Sequence, residues 1–158
     1  MKSGSDLLFS PLSLLRFYLW LLGTALLLQG TISLLLILAN IEPLEYLAKL
    51  LTSDRLHAAI HIGWGMAILG LLKTVNRDRF LAGLGFAFGG FYLMLGVLGA
   101  IAEYPLGMTL RWSEDLFHLV VGPVALLLSW KTLTLKGDRH YTQDSGKVFK
   151  RSGASNLK

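Results

Sequence analysis

The sequence predicts an all-α integral membrane protein, a four-helix bundle of antiparallel up-down topology. Three observations lead there. Four apolar runs, about 14–41, 56–72, 80–102 and 116–135, fill most of the chain. Each is near or above the ~20 mostly apolar residues that, at about 1.5 Å rise each, cross a hydrocarbon core of ~30 Å. Apolar residues make up 53% of the 158 before the 17 glycines are counted, above the usual share for soluble domains. The runs also lack a polar stripe. Segments 21–28 and 32–39 carry no polar side chain except the hydroxyls of Thr24 and Ser33, whereas every helix of a soluble bundle shows a polar face to water.

In the first run, Leu7, Leu8, Phe9 and Leu12 around Pro11 lead in along the inner interface, and Tyr18 and Trp20 sit where aromatic anchors gather. The apolar stretch is much longer than a signal-peptide core of ~7–15 residues and no Ala-x-Ala site follows it, so a retained span is expected. Gly23 and Gly30 make a small-residue seam, and Gln29 and Thr31 are expected to bridge helices at depth. The loop 41–55 carries Leu44, Leu47, Leu50 and Leu51 at helical spacing after Pro43, which predicts a short interfacial helix. Ser53 or Asp54 is expected to cap the second span.

The second span places Ala59, Gly63 and Ala67 four apart, and the third carries Gly85, Gly89, Gly96 and Gly99. Small residues let helices approach closely in a membrane; packing inside the bundle is the first expectation for both sets, a homodimer seam the second. The tight basic turn 73–79 predicts that spans two and three are antiparallel neighbours. Pro105 and Gly107 break the chain before the fourth span, Trp112 marks the outer interface, and Pro123 is expected to kink the span. The bundle thus covers 1–135. Residues 136–158 are polar and basic and are expected to form a mobile cytoplasmic tail, with His140 solvated.

Charge predicts sidedness. With the N-terminus in the cytoplasm, four spans return the C-terminus there. Of the 15 Lys and Arg residues, 12 then lie inside and only Lys49, Arg55 and Arg111 outside, a strong positive-inside bias. The expected location is the bacterial inner membrane or another energy-transducing membrane, multi-pass. The net charge of +5 reflects this topology and predicts no nucleic acid partner. Cysteine is absent, which excludes disulfides, thiolate metal sites and iron–sulfur clusters.

The remaining chemistry gathers at the outer ends of spans two and four. His57-x-x-x-His61-x-x-x-Gly65 lines up with Glu114-x-x-x-His118-x-x-x-Gly122, and spacing of four keeps each set on one helix face. Asp54, Glu103 and Asp115 lie near the same rim. Ionisable groups inside a membrane face the bundle interior and find partners. A structural tie between helices, with each imidazole wetted from one side, is the first reading. The second is a ligand site, either His57, His61, Glu114 and His118 around a divalent metal or histidines from the two helices ligating haem b or chlorophyll, with His57, His61 and His118 as cofactor-binding residues. The third is a proton-handling His–carboxylate group. No phosphate loop, nucleophile elbow or His-Glu-x-x-His is present, so no catalytic residue is assigned and a non-enzymatic protein is expected.

The stretches His57-Ala58-Ala59-Ile60-His61, Gly89-Gly90-Phe91-Tyr92 through Gly99, and Ser113-Glu114-Asp115-Leu116-Phe117-His118 resemble the bacterial membrane family catalogued as domain of unknown function 4383, over roughly residues 14–131. Ala58 and Asp115 stand where that family's motifs have asparagines, and Glu114 where they have aspartate. The resemblance implies a four-helix membrane bundle and supplies no activity to carry over. The expected function is therefore a structural or accessory subunit of a larger membrane complex, or of its own homo-oligomer in the lipid bilayer; a haem, chlorophyll or metal carrier is the alternative.

Overall fold

The computed structural model describes residues 10–39, 51–52, 54–102 and 104–154, with side chains up to Thr134. Four long helices carry the fold: α1 Pro11–Ala39, α2 Arg55–Thr74, α3 Asp78–Ile101 and α4 Trp112–Ala154. All four, with Trp112–Thr134 as the apolar part of α4, are long and apolar enough to cross a membrane, and no strand occurs among the described residues. The interfacial helix expected around Leu44, the lead-in at Leu7–Phe9, and Ser53 and Glu103 lie outside the described residues.

Local chemistry sets the helix starts. Ser10 Oγ accepts from Ser13 N at 3.2 Å, with Pro11 at the first helical position of α1. Asp54 caps α2 as expected, accepting from His57 N at 2.8 Å. Its second oxygen accepts from Thr109 N at 2.8 Å and from Thr109 Oγ1 at 3.2 Å, which ties the α3–α4 loop to the start of α2. That loop turns through Leu106 (φ 56°) and Gly107 (φ 79°) in a 3-10 turn, Pro105–Gly107, and tucks Met108 fully inside. Glu114, third residue of α4, reaches back so that its Oε2 accepts from Arg111 N at 2.7 Å, while Glu114 N donates to Arg111 O at 2.9 Å. The first is the Glu half of a capping box, and the second is a backbone turn bond.

The helices pack as two close hairpins, α1 with α2 and α3 with α4. Glycine permits both. A Cβ on Gly30 would meet Ala58 O at 2.6 Å, so α1 and α2 approach at van der Waals contact of their backbones. A Cβ on Gly89 would lie 2.7 Å from Gly122 O, and one on Gly122 2.9 Å from Gly89 O. The seams expected on spans one and three are the ones used. The two hairpins meet through side chains instead. Leu15, Leu19, Leu22 and Leu26 of α1 form the core with Ile68, Phe88, Tyr92, Val121 and Ala125. Tyr18 OH donates to Val121 O at 2.7 Å, beside Pro123 in α4.

Two expectations change. Spans two and three are sequence neighbours, yet they pack against each other less than the hairpin partners do. Large rings stand between them: Trp64 lies 5.6 Å from Phe88 and 5.4 Å from Phe91, centroid to centroid. Ala59, Gly63 and Ala67 do not pack inside; all three are exposed, and a Cβ on Gly63 would meet nothing within 4 Å. The polar segment after Leu135 continues α4 as helix to Ala154.

The outside of the bundle is apolar. Phe17, Trp20, Leu35, Leu127 and Trp130 are all more than half exposed, and only 28–39% of each spanning window is buried within the chain. Apolar surface on this scale needs a non-aqueous solvent. The chain is a small multi-pass integral membrane protein.

Candidate metal centre

The α2 and α4 residues singled out by their spacing converge between the hairpins. His57, His61 and His118 are 0%, 2% and 0% exposed, so the rings lie inside the protein. The glycine seams deliver them. Gly30 admits His61, whose Cβ would lie 3.0 Å from a Cβ placed there. Gly96 does the same for His118 at 3.1 Å. Gly99 leaves room for the Asp115 carboxylate, which turns toward α3.

The three imidazoles are mutual neighbours. Centroids are 4.4 Å apart for His57 and His61, 5.5 Å for His57 and His118, and 6.3 Å for His61 and His118. One ring nitrogen from each lies within 4.8 Å of the others. For comparison, nitrogens arranged tetrahedrally at ~2.0–2.1 Å from a zinc-like ion are about 3.4 Å apart and place the ring centroids roughly 5 Å apart. The nitrogens would therefore draw closer together around a bound ion.

Both nitrogens of His61, both of His118 and Nε2 of His57 have no hydrogen-bond partner among the described residues. A buried polar atom left unpaired costs about 1–3 kcal/mol, so the cluster is expensive as it stands. His57 Nδ1 lies 3.3 Å from Glu114 Oε1, within ion-pair reach though short of hydrogen-bond alignment. Glu114 is therefore engaged through one oxygen with Arg111 N and faces His57 with the other. It borders the three-histidine group rather than joining it. A carboxylate behind a ligating histidine is a common outer-shell arrangement in metal sites.

Four helices and a loop share in the site. Tyr92 of α3, fully buried, packs its ring 5.1 Å from His118 and 6.1 Å from His61. Its position beneath the histidines was not legible in the sequence, where it is one aromatic among several. Gln29 of α1 donates through Nε2 to Leu51 O, and Ser33 shares a hydrogen bond with Thr52. Gln29, expected to bridge helices, reaches from α1 to the segment before α2. The site residues His57, His61, Glu114 and His118 border a cavity of about 160 Å³. Gln29, Leu51, Ser113 and Phe117 border it too, and Ser113 and Phe117 are exposed. Pockets for drug-sized ligands and organic cofactors run to ~300–1,000 Å³. This one suits an ion with a water or another small ligand.

No family model matches the chain, and no curated protein or solved structure matches it either.

Proposed function

We propose that this small membrane protein binds one divalent transition metal ion through His57, His61 and His118, with Glu114 orienting His57. The observation that supports it is the convergence of three buried imidazoles from two helices, whose ring nitrogens, the approach of His57 to Glu114 apart, have no partner among the described residues. An all-imidazole donor set suits zinc, copper, nickel or iron and disfavours magnesium and calcium, which need oxygen ligands. The cavity size favours a metal ion over haem b or chlorophyll. We place the site near the outer face of a bacterial inner or other energy-transducing membrane, with both termini cytoplasmic, as the 12-to-3 distribution of basic residues supports. Kinship with the family of domain of unknown function 4383 is part of the same proposal, supported by the order of its His and Gly motifs.

The test is metal analysis of protein purified in detergent after expression in metal-replete medium. About one equivalent per chain is expected, and its loss in a His61→Ala/His118→Ala double variant that still folds by circular dichroism. Wild-type protein that stays metal-free after incubation with zinc, copper, nickel or iron ions rejects the proposal.

One observation favours a second reading, the accessory subunit. Ala59, Gly63, Ala67 and Gly70 form an outward stripe of small residues on α2, with open space at both glycines. Such stripes let another membrane helix approach closely. Crosslinking at a Gly63→Cys variant in native membranes tests it: a discrete adduct supports a helix partner, and monomer alone counts against one.

A further inference from the structure

The metal reading places three protein ligands on an ion whose preferred coordination number is at least four. The direction of the vacant position follows from the geometry. The three histidines border the same cavity, and the other described residues bordering it supply no competing imidazole or thiolate. Gln29 already donates to Leu51 O, and Glu114 is held by Arg111 N and faces His57. Asp115 is turned toward α3 at Gly99 and does not border the cavity. Exposed Ser113 and Phe117 connect the cavity to the surface near the outer end of α4. A volume of about 160 Å³ holds several waters at ~30 Å³ each.

Charge selects the occupant. Three neutral imidazoles leave an ion's two positive charges uncancelled, and Glu114 offsets one of them from behind His57. One further negative charge on the cavity side brings the enclosed group to neutrality, which a low-dielectric surrounding favours strongly. Resting on the metal reading, we infer that the ion keeps one exchangeable coordination position facing this cavity, and that the position takes water, hydroxide or another small monovalent anion entering past Phe117 and Ser113.

Cobalt(II) reports on this directly, because its visible bands change with coordination number and ligand. The full chain, loaded with Co²⁺ in detergent, is titrated with sodium azide, and band shifts are read per bound cobalt. A saturable 1:1 shift is expected. Phe117→Trp, which fills the cavity mouth, is expected to weaken azide binding by roughly tenfold, and Phe117→Ala to leave it as tight or tighter. Bands that ignore azide while cobalt remains bound overturn the open position and leave the metal site standing. An azide response unchanged by Phe117→Trp overturns the proposed route. Failure to bind cobalt at all, scored separately by metal analysis, overturns both the site and its open position.

Discussion

At the residue scale, three histidines and a glutamate were legible from spacing, but their depth was not. Spacing of four places His57 with His61, and Glu114 with His118, on one face each. It does not say which face turns inward, because a helix solvated by lipid has no polar stripe to mark its outside. Burial of the rings follows from Gly30 and Gly96, whose missing side chains let α2 and α4 come close to their hairpin partners. Glu114 illustrates a second kind of ambiguity. Its carboxylate serves the start of α4 through Arg111 N and the site through His57, and only the folded geometry separates those tasks. Glu114→Gln keeps the bond to Arg111 N and removes the charge behind His57. It is expected to lower metal affinity by roughly 10–100-fold, measured by competition with a chromophoric chelator, with helicity unchanged. Affinity equal to wild type would assign Glu114 to the helix start alone.

At the element scale, the sequence offers more small-residue stripes than the fold uses. Gly30, Gly89 and Gly122 stand at backbone contacts; Gly63, Gly83 and Gly90 face open space. Pattern alone could not sort them, since any glycine pair at helical spacing permits approach and the partner decides which approach happens. The difference is measurable. Gly30→Val must push Ala58 O away from α1 and is expected to destabilise the bundle by about 1–3 kcal/mol, as overpacking typically does. Gly63→Val meets nothing within the chain and is expected to stay within about 0.5 kcal/mol of wild type. Thermal unfolding in one detergent compares the two; equal losses would contradict the hairpin packing described. The capping contacts make a parallel case. Asp54→Ala removes the acceptor for both His57 N and the α3–α4 loop, with an expected cost of at least ~1 kcal/mol in the same assay.

At the scale of the whole molecule, the four spans were legible because length and hydropathy report directly on the solvent. Their neighbours were not. The short turn between α2 and α3 argued for a tight pair, but Trp64, Phe88 and Phe91 hold those helices apart, and the close pairs are the two hairpins. The second helix of each hairpin carries the same plan, a His or Glu in the first turn, a histidine one turn on, and a glycine at the backbone crossing. His57, His61 and Gly65 do this on α2, and Glu114, His118 and Gly122 on α4. The bundle thus joins two similar halves whose candidate site residues meet at their interface. Reporter tags on the two ends are expected to mark the cytoplasmic side alike, and opposite sides would break the four-span topology.

The most direct measurement of the proposed metal centre is X-ray absorption at the edge of whichever ion the protein retains. The expected shell is three imidazole nitrogens at ~2.0–2.1 Å, with their outer-ring scattering, and one lighter donor. A shell of oxygen alone, or a spectrum unchanged when His57, His61 and His118 are all replaced by alanine, would contradict the three-histidine centre.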